Sequence, residues 1–144
     1  MTVPDPVFID TNILVYAHDR SETVKCPQAR LLVLESIRTG RAVISAQVLN
    51  EFFTTVTRKI PTPLSIHAAR NELSILARLR VIPIDSTLIL RAIDIMSGQQ
   101  TSYWDALILS AAERAKCPVV WSEDLGDGRS YGEVKVINPF TQPT

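Results

Sequence analysis

Val7-Phe8-Ile9-Asp10-Thr11-Asn12-Ile13-Leu14 decides how this chain is read. Three apolar residues in a row suit a short strand buried on both faces. Asp10, Thr11 and Asn12 then break the run with side chains that cap helices and shape turns. Ile13 to His18 follows as a brief helix. An acid set just past a buried strand stands where an open α/β sheet gathers ligands.

The alternation of apolar runs with helical patterns continues to the end of the chain and predicts a parallel α/β sheet. Helices are expected over Pro27–Arg38, from a Ser45 cap to about Lys59, over Leu64–Arg80, over Ser86–Met96, and from Ser102 to just before Cys117. Strands are expected over Ala42–Ile44, Val81–Ile84 and Val119–Trp121, with Val134–Ile137 as a short edge strand. Leu125 to Gly132 reads as turns and holds three of the five glycines. The whole chain, 1–144, is expected to form one domain, with loose ends at about 1–6 and 139–144.

Composition narrows the classes. Of the 144 residues 46% are hydrophobic, as in a globular protein. Fifteen basic and fifteen acidic side chains cancel, which argues against a nucleic-acid binder held by bulk charge. A nuclease is not excluded, because a bound metal changes the local sign of the field. From Arg58 to Arg80 five basic residues face one acid, Glu72; this is either a solvated helix surface or a positive flank for a phosphate backbone. Cys26 and Cys117 are too few for a disulfide framework, and His18 and His67 are too isolated for a His-rich zinc site. The chain has no apolar stretch long enough to cross a bilayer and no leader pattern, so it is expected to be soluble and cytoplasmic.

Four acids carry the chemistry: Asp10, Glu51, Asp105 and Asp124. Asp10 and Asp124 follow the first and fourth strands. Either position also suits a turn or a helix cap. Glu51 falls beside the apolar stripe of its helix, where an exposed Glu is ordinary. Asp105 shares a helix face with Ile108, Leu109 and Ala112. An ionised group there is costly unless paired or bound to metal. Ser102-x-x-Asp105 also fits a capping box, which satisfies the acid locally. Four carboxylates that converge repel one another unless a cation sits between them, which points to Mg²⁺ or Mn²⁺ and phosphodiester hydrolysis.

Phe8-Ile9-Asp10-Thr11-Asn12-Ile13-Leu14, Leu49-Asn50-Glu51-Phe52, Ser102-Tyr103-Trp104-Asp105-Ala106-Leu107-Ile108 and Trp121-Ser122-Glu123-Asp124-Leu125 together resemble a PIN domain, and within it the VapC-type toxins of toxin–antitoxin pairs. The resemblance runs from about Val7 to Pro139. It implies three layers, α/β/α, around a mostly parallel sheet of four to five strands. It also implies an endoribonuclease dependent on Mg²⁺, with Mn²⁺ able to substitute. Asp10, Glu51, Asp105 and Asp124 take the family's acidic positions. Thr11, Asn12 and Ser122 take its short polar positions, and Asp127 is a further, water-mediated contact. A homodimer, an RNA substrate and a cognate antitoxin that occludes the site are implied as partners.

Mg²⁺ keeps several waters, so one or two direct carboxylates per ion suffice. Asp10 is expected to be the central ligand, Asp105 and Asp124 the next, and Glu51 a ligand through water or an orienter of the attacking water. Asn12 and Ser122 are expected to hold the carboxylates in place, and Arg58 and Lys59 to touch RNA phosphates. Tyr103 and Trp104, just before Asp105, suit either stacking against unpaired bases or, more plainly, core packing. Three rivals remain. An aspartyl-phosphate phosphatase needs a second Asp two residues after the first, where this chain has Asn12. A metal-free binding module fits the fold but not the retention of all four acids. A housekeeping RNA-processing nuclease keeps the chemistry and changes the biology.

Overall fold

The computed structural model describes residues 4–141. Six strands, β1 (Val7–Ile9), β2 (Ala42–Ser45), β3 (Arg80–Ile82), β4 (Val119–Trp121), β5 (Ser130–Tyr131) and β6 (Val134–Ile137), form one sheet in the order β3-β2-β1-β4-β6-β5. Every pairing is parallel except β5 with β6. Six helices connect them: α1 (Thr11–Tyr16) and α2 (Lys25–Arg38), α3 (Ala46–Arg58) and α4 (Ile66–Leu76), α5 (Ser86–Gly98) and α6 (Tyr103–Arg114).

This order explains the layers. From β1 the chain steps outward to β2 and β3, then returns past β1 to β4. Right-handed crossovers put the helices of the two directions on opposite faces. Every residue of β1 and β2 is accordingly buried, as strands covered on both sides require. Phe8, Ile9, Ile44, Val48, Phe52 and Leu109 are among the large side chains at the centre of the core. Direction reverses between β1 and β4, so a crevice opens beyond their carboxyl ends. Asp10 and Ser122 are the first residues past those ends.

The parallel α/β fold matches the reading of the sequence, with corrections of detail. The sheet has six strands rather than four to five, because Ser130–Tyr131, inside the stretch read as turns, forms β5. As a result Val134–Ile137 is not an edge strand: β6 lies between β4 and β5. The helix expected from Ile13 begins at Thr11, since Asp10 caps it. The helix expected over Leu64–Arg80 spans Ile66–Leu76, capped by Ser65, whose hydroxyl accepts from the Ala68 amide at 3.0 Å. The third strand begins at Arg80 and stops at Ile82, because Pro83 has no amide to donate to a ladder. Residues 139–141, expected to be loose, are tied in: the Phe140 ring meets Tyr16 edge-on at 5.3 Å, and Thr141 Oγ1 donates to Asp127 at 3.1 Å. At the other end residues 4–6 have no regular structure, though Arg41 Nε donates to the Asp5 carbonyl at 2.9 Å, and 1–3 and 142–144 lie outside the described residues.

Tyr131 pairs with Val134 across a two-residue hairpin in which Gly132 has φ +61°. A Cβ at Gly132 would meet no atom within 4 Å, so only the backbone resists a side chain there. Gly132→Ala is expected to lower stability by about 1 kcal/mol, the usual cost of a left-handed non-glycine residue. Urea denaturation checks it; an unchanged midpoint would show that the hairpin does not depend on that conformation.

Candidate metal centre

Asp10 is fixed before its side chain makes any contact. Its amide donates to the Trp121 carbonyl at 3.0 Å, the last rung between β1 and β4. The Ser122 amide is held in turn by the Ile137 carbonyl at 3.1 Å. These two bonds set the Asp10 and Ser122 side chains beside each other. Ser122 Oγ donates to Asp10 Oδ2 at 2.7 Å, and the Thr11 amide donates to Oδ1 at 2.8 Å. Asp10 is therefore a helix cap and a buried carboxylate at once.

A neutral polar network joins this pair to two more acids. Asn12 Nδ2 donates to Asp124 Oδ2 at 3.1 Å, and Ser122 Oγ accepts from the Asp124 amide at 3.1 Å. Thr11 Oγ1 donates to Glu51 Oε2 at 2.8 Å. Gln47, one turn before Glu51 on α3, donates through Nε2 to Glu51 Oε1 at 2.9 Å and to the Trp104 carbonyl at 3.1 Å. Asp105 arrives from α6. Ser102 Oγ accepts from the Asp105 amide at 3.1 Å, but the return bond of a capping box, from the Ser102 amide to the carboxylate, is not made. The carboxylate lines the crevice, with the Ser102 hydroxyl beside it.

All four acids line one cavity of about 550 Å³, with Thr11, Asn12, Gln47 and Lys59 also in its wall. Among the described residues no Lys or Arg pairs with any of the four. Burial raises the Asp10 pKa from 3.8 to about 6; the Ser122 and Thr11 bonds oppose the rise, and the charges of Glu51 and Asp124 add to it. Burial also raises the Asp105 pKa, Ser102 opposes it, and the charges of Asp124 and Glu51 push it further. Each inner acid thus feels two others, and only water, Lys59 or a bound cation offsets the charge.

Other expected residues fall elsewhere. Asp127 is not in the cavity wall; its two carboxylate oxygens accept from the Asn138 amide at 2.8 Å and from Thr141 Oγ1. Arg58 is exposed and outside the wall, whereas its neighbour Lys59 is in it. Glu123, a nearby acid, is taken up by Lys25 Nζ at 2.6 Å and by the Tyr16 hydroxyl at 2.6 Å. That leaves Asp124 as the acid past β4 that turns to the cavity. The sequence reading missed Gln47, whose only signal is its place four residues before Glu51.

Among the described residues no three His, Cys, Asp or Glu side chains stand close enough to hold an ion as they are. The donor set nonetheless fits a hard, hydrated cation: it offers four carboxylates in one cavity, and among the described residues no Lys or Arg pairs with any of them. Retained waters would span the gaps between acids. Asn12→Ala and Ser122→Ala are each expected to weaken metal binding by about 10- to 100-fold, because they orient carboxylates rather than supply charge. Calorimetric titration with Mn²⁺ checks this; wild-type affinity in both would mean the network is irrelevant to the ion.

The PIN domain family model matches residues 7–126. No curated protein matches the chain. Several solved structures do. The sarcin–ricin-loop-cleaving toxin VapC20 of Mycobacterium tuberculosis is 17% identical, with TM-score 0.65 over 83% of this chain and 90% of that one. A toxin–antitoxin complex from Klebsiella pneumoniae is 17% identical, with TM-score 0.66 over 92% and 97%. The DNA-bound VapBC of Salmonella typhimurium is 16% identical, with TM-score 0.65 over 92% and 97%. At such identities the likeness is one of fold.

Proposed function

The chain belongs to the PIN domain family, and from that membership we propose a Mg²⁺- or Mn²⁺-dependent endoribonuclease acting as the toxin of a toxin–antitoxin pair. The observation that carries this reading is the cavity where Asp10, Glu51, Asp105 and Asp124 meet without a paired cation. Its position at the reversal of strand order is where such sheets place their chemistry. The toxin role is supported by fold likeness to proteins described as toxins or toxin–antitoxin complexes. An antitoxin and a second copy of the chain are the proposed partners. Exposed apolar side chains such as Leu31 and Leu34 on α2, and Leu90 and Ile93 on α5, are the kind of surface partners cover. No helix among the described residues is long and apolar enough to cross a membrane.

In this reading Asp10, Asp105 and Asp124 hold the ion. Ser122, Asn12 and the Thr11 amide keep the carboxylates of Asp10 and Asp124 turned toward it. When bound, a divalent ion there would supply a lowered pKa for an attacking water and stabilisation of charge on the phosphate and the leaving oxygen. Glu51, clamped by Thr11 and Gln47, is placed to orient a water for in-line attack. Lys59, at the end of α3 and in the same cavity wall, steadies a neighbouring phosphate.

The test is incubation of purified protein with mixed RNA in Mg²⁺, in Mn²⁺ and in EDTA. Cleavage in either metal and none in EDTA is expected. Intact RNA in both metals, with the protein folded, would overturn the proposal.

A further inference from the structure

Beside the acid-lined cavity lies a second, about 350 Å³, lined by Gln47, Asn50, Glu51, Ile84 and Trp104. Gln47 and Glu51 belong to both walls. Trp104 directly precedes Asp105 and is 64% exposed, a large cost for an indole with no packing role. It is also braced, since Tyr103 meets it edge-on at 5.1 Å. Gln47 is only 5% exposed. Its Nε2 faces two acceptors, Glu51 and the Trp104 carbonyl, so the amide cannot flip without setting oxygen against oxygen. Oε1 is therefore a fixed, buried acceptor with no partner, on a residue that lines both cavities. A ligand that stacks on Trp104 and offers a donor to Oε1 would satisfy both features.

We infer that this second cavity holds one unpaired nucleotide of the RNA substrate, its base stacked on Trp104 and one of its donors bonded to Gln47 Oε1. The inference rests on the ribonuclease reading and adds to it a residue that sets which strands are cut. Every base has a face to stack, so Trp104 grips single-stranded RNA without reading its sequence. Oε1 adds a choice, because it accepts only from an N–H or O–H donor: an exocyclic amino group, the ring imino of guanine or uracil, or a 2′-hydroxyl. Duplex RNA, with its bases stacked internally, cannot fill the cavity.

Cleavage of short single-stranded RNAs by wild type, Trp104→Ala and Trp104→Phe tests this. Trp104→Ala is expected to raise KM roughly tenfold to a hundredfold with kcat little changed, since base–aromatic stacking is a binding interaction. Trp104→Phe should recover most of that loss. RNA should quench wild-type tryptophan fluorescence but not that of Trp104→Phe, in which Trp121 alone remains. RNAs with purine riboside in place of adenosine, N3-methyluridine in place of uridine, N1-methylguanosine in place of guanosine, and a single 2′-deoxy nucleotide identify the donor; a loss of affinity in none of them removes the Gln47 contact. If wild type cuts and Trp104→Ala keeps the wild-type KM, or sediments as a smaller species with unchanged KM, Trp104 covers a protein partner and the inference fails alone. If wild type cuts no RNA, the ribonuclease reading fails with it.

Discussion

Asp10→Asn is expected to lower metal-supported RNA cleavage by more than about a hundredfold, a larger loss than removal of a supporting side chain brings. The substitution keeps the shape of the side chain. It can still accept from the Thr11 amide, which now bonds Oδ1 at 2.8 Å, and so it can still cap α1. What it loses is a full negative charge at the most rigidly held point of the cavity, where β1 and β4 end together. Asp105→Asn is expected to act the same way, because Ser102 caps α6 through the Asp105 amide and needs no carboxylate. Steady-state cleavage in Mg²⁺, with circular dichroism to confirm folding, checks both. Folded variants that cut as fast as wild type would sink the assignment.

The second large effect is on stability. Asp10 has a folded-state pKa near 6, raised above its ordinary 3.8. A raised carboxyl favours the folded state below its unfolded pKa and loses that advantage as pH climbs through the folded one. Between about pH 4 and pH 6 the metal-free protein therefore gives up on the order of 3 kcal/mol at this one site. A divalent cation reverses the penalty only once Asp10 is ionised. The rise in melting temperature on replacing EDTA with Mg²⁺ should thus be small at pH 5 and grow through pH 6. Comparing the two conditions at each pH cancels the surface acids such as Asp85, whose pKa is lowered by Arg114 and whose contribution runs the other way. A metal increment that does not change with pH would contradict this account. In EDTA, Asp105→Asn should melt higher than wild type, because it removes a desolvated charge repelled by Asp124 and Glu51.

The parts of this protein that sequence made legible are those set by local chemistry. β1 and β4 are short apolar runs with nowhere to go but a buried sheet, and the acids beyond them mark the crevice. Asp85 shows the same local chemistry, capping α5 with an Oδ1 that accepts from the Leu88 amide at 2.9 Å. What stayed hidden depends on contacts between distant segments. Nothing on α3 alone separates Glu51 from an exposed surface Glu; Thr11, forty residues earlier, anchors it. β5 is two residues long, too short to show alternation. Trp104 has helical spacing with buried Ile108 and Ala111, so periodicity puts it in the core. It stands instead in the first turn of α6, ahead of Ala106, where the buried part of that helix begins. Asp127 resembles its acidic neighbours in type but serves the turn after β6.

The claim on which the rest depends is that these four carboxylates form a divalent-metal centre. Titration of the purified protein with Mn²⁺, followed by electron paramagnetic resonance, measures it directly and needs no RNA. Wild type should take up Mn²⁺ saturably, with Mg²⁺ competing, and Asp10→Asn and Asp105→Asn should each lose that uptake. Wild type that leaves Mn²⁺ free in solution, or variants that bind it as tightly as wild type, would contradict the account.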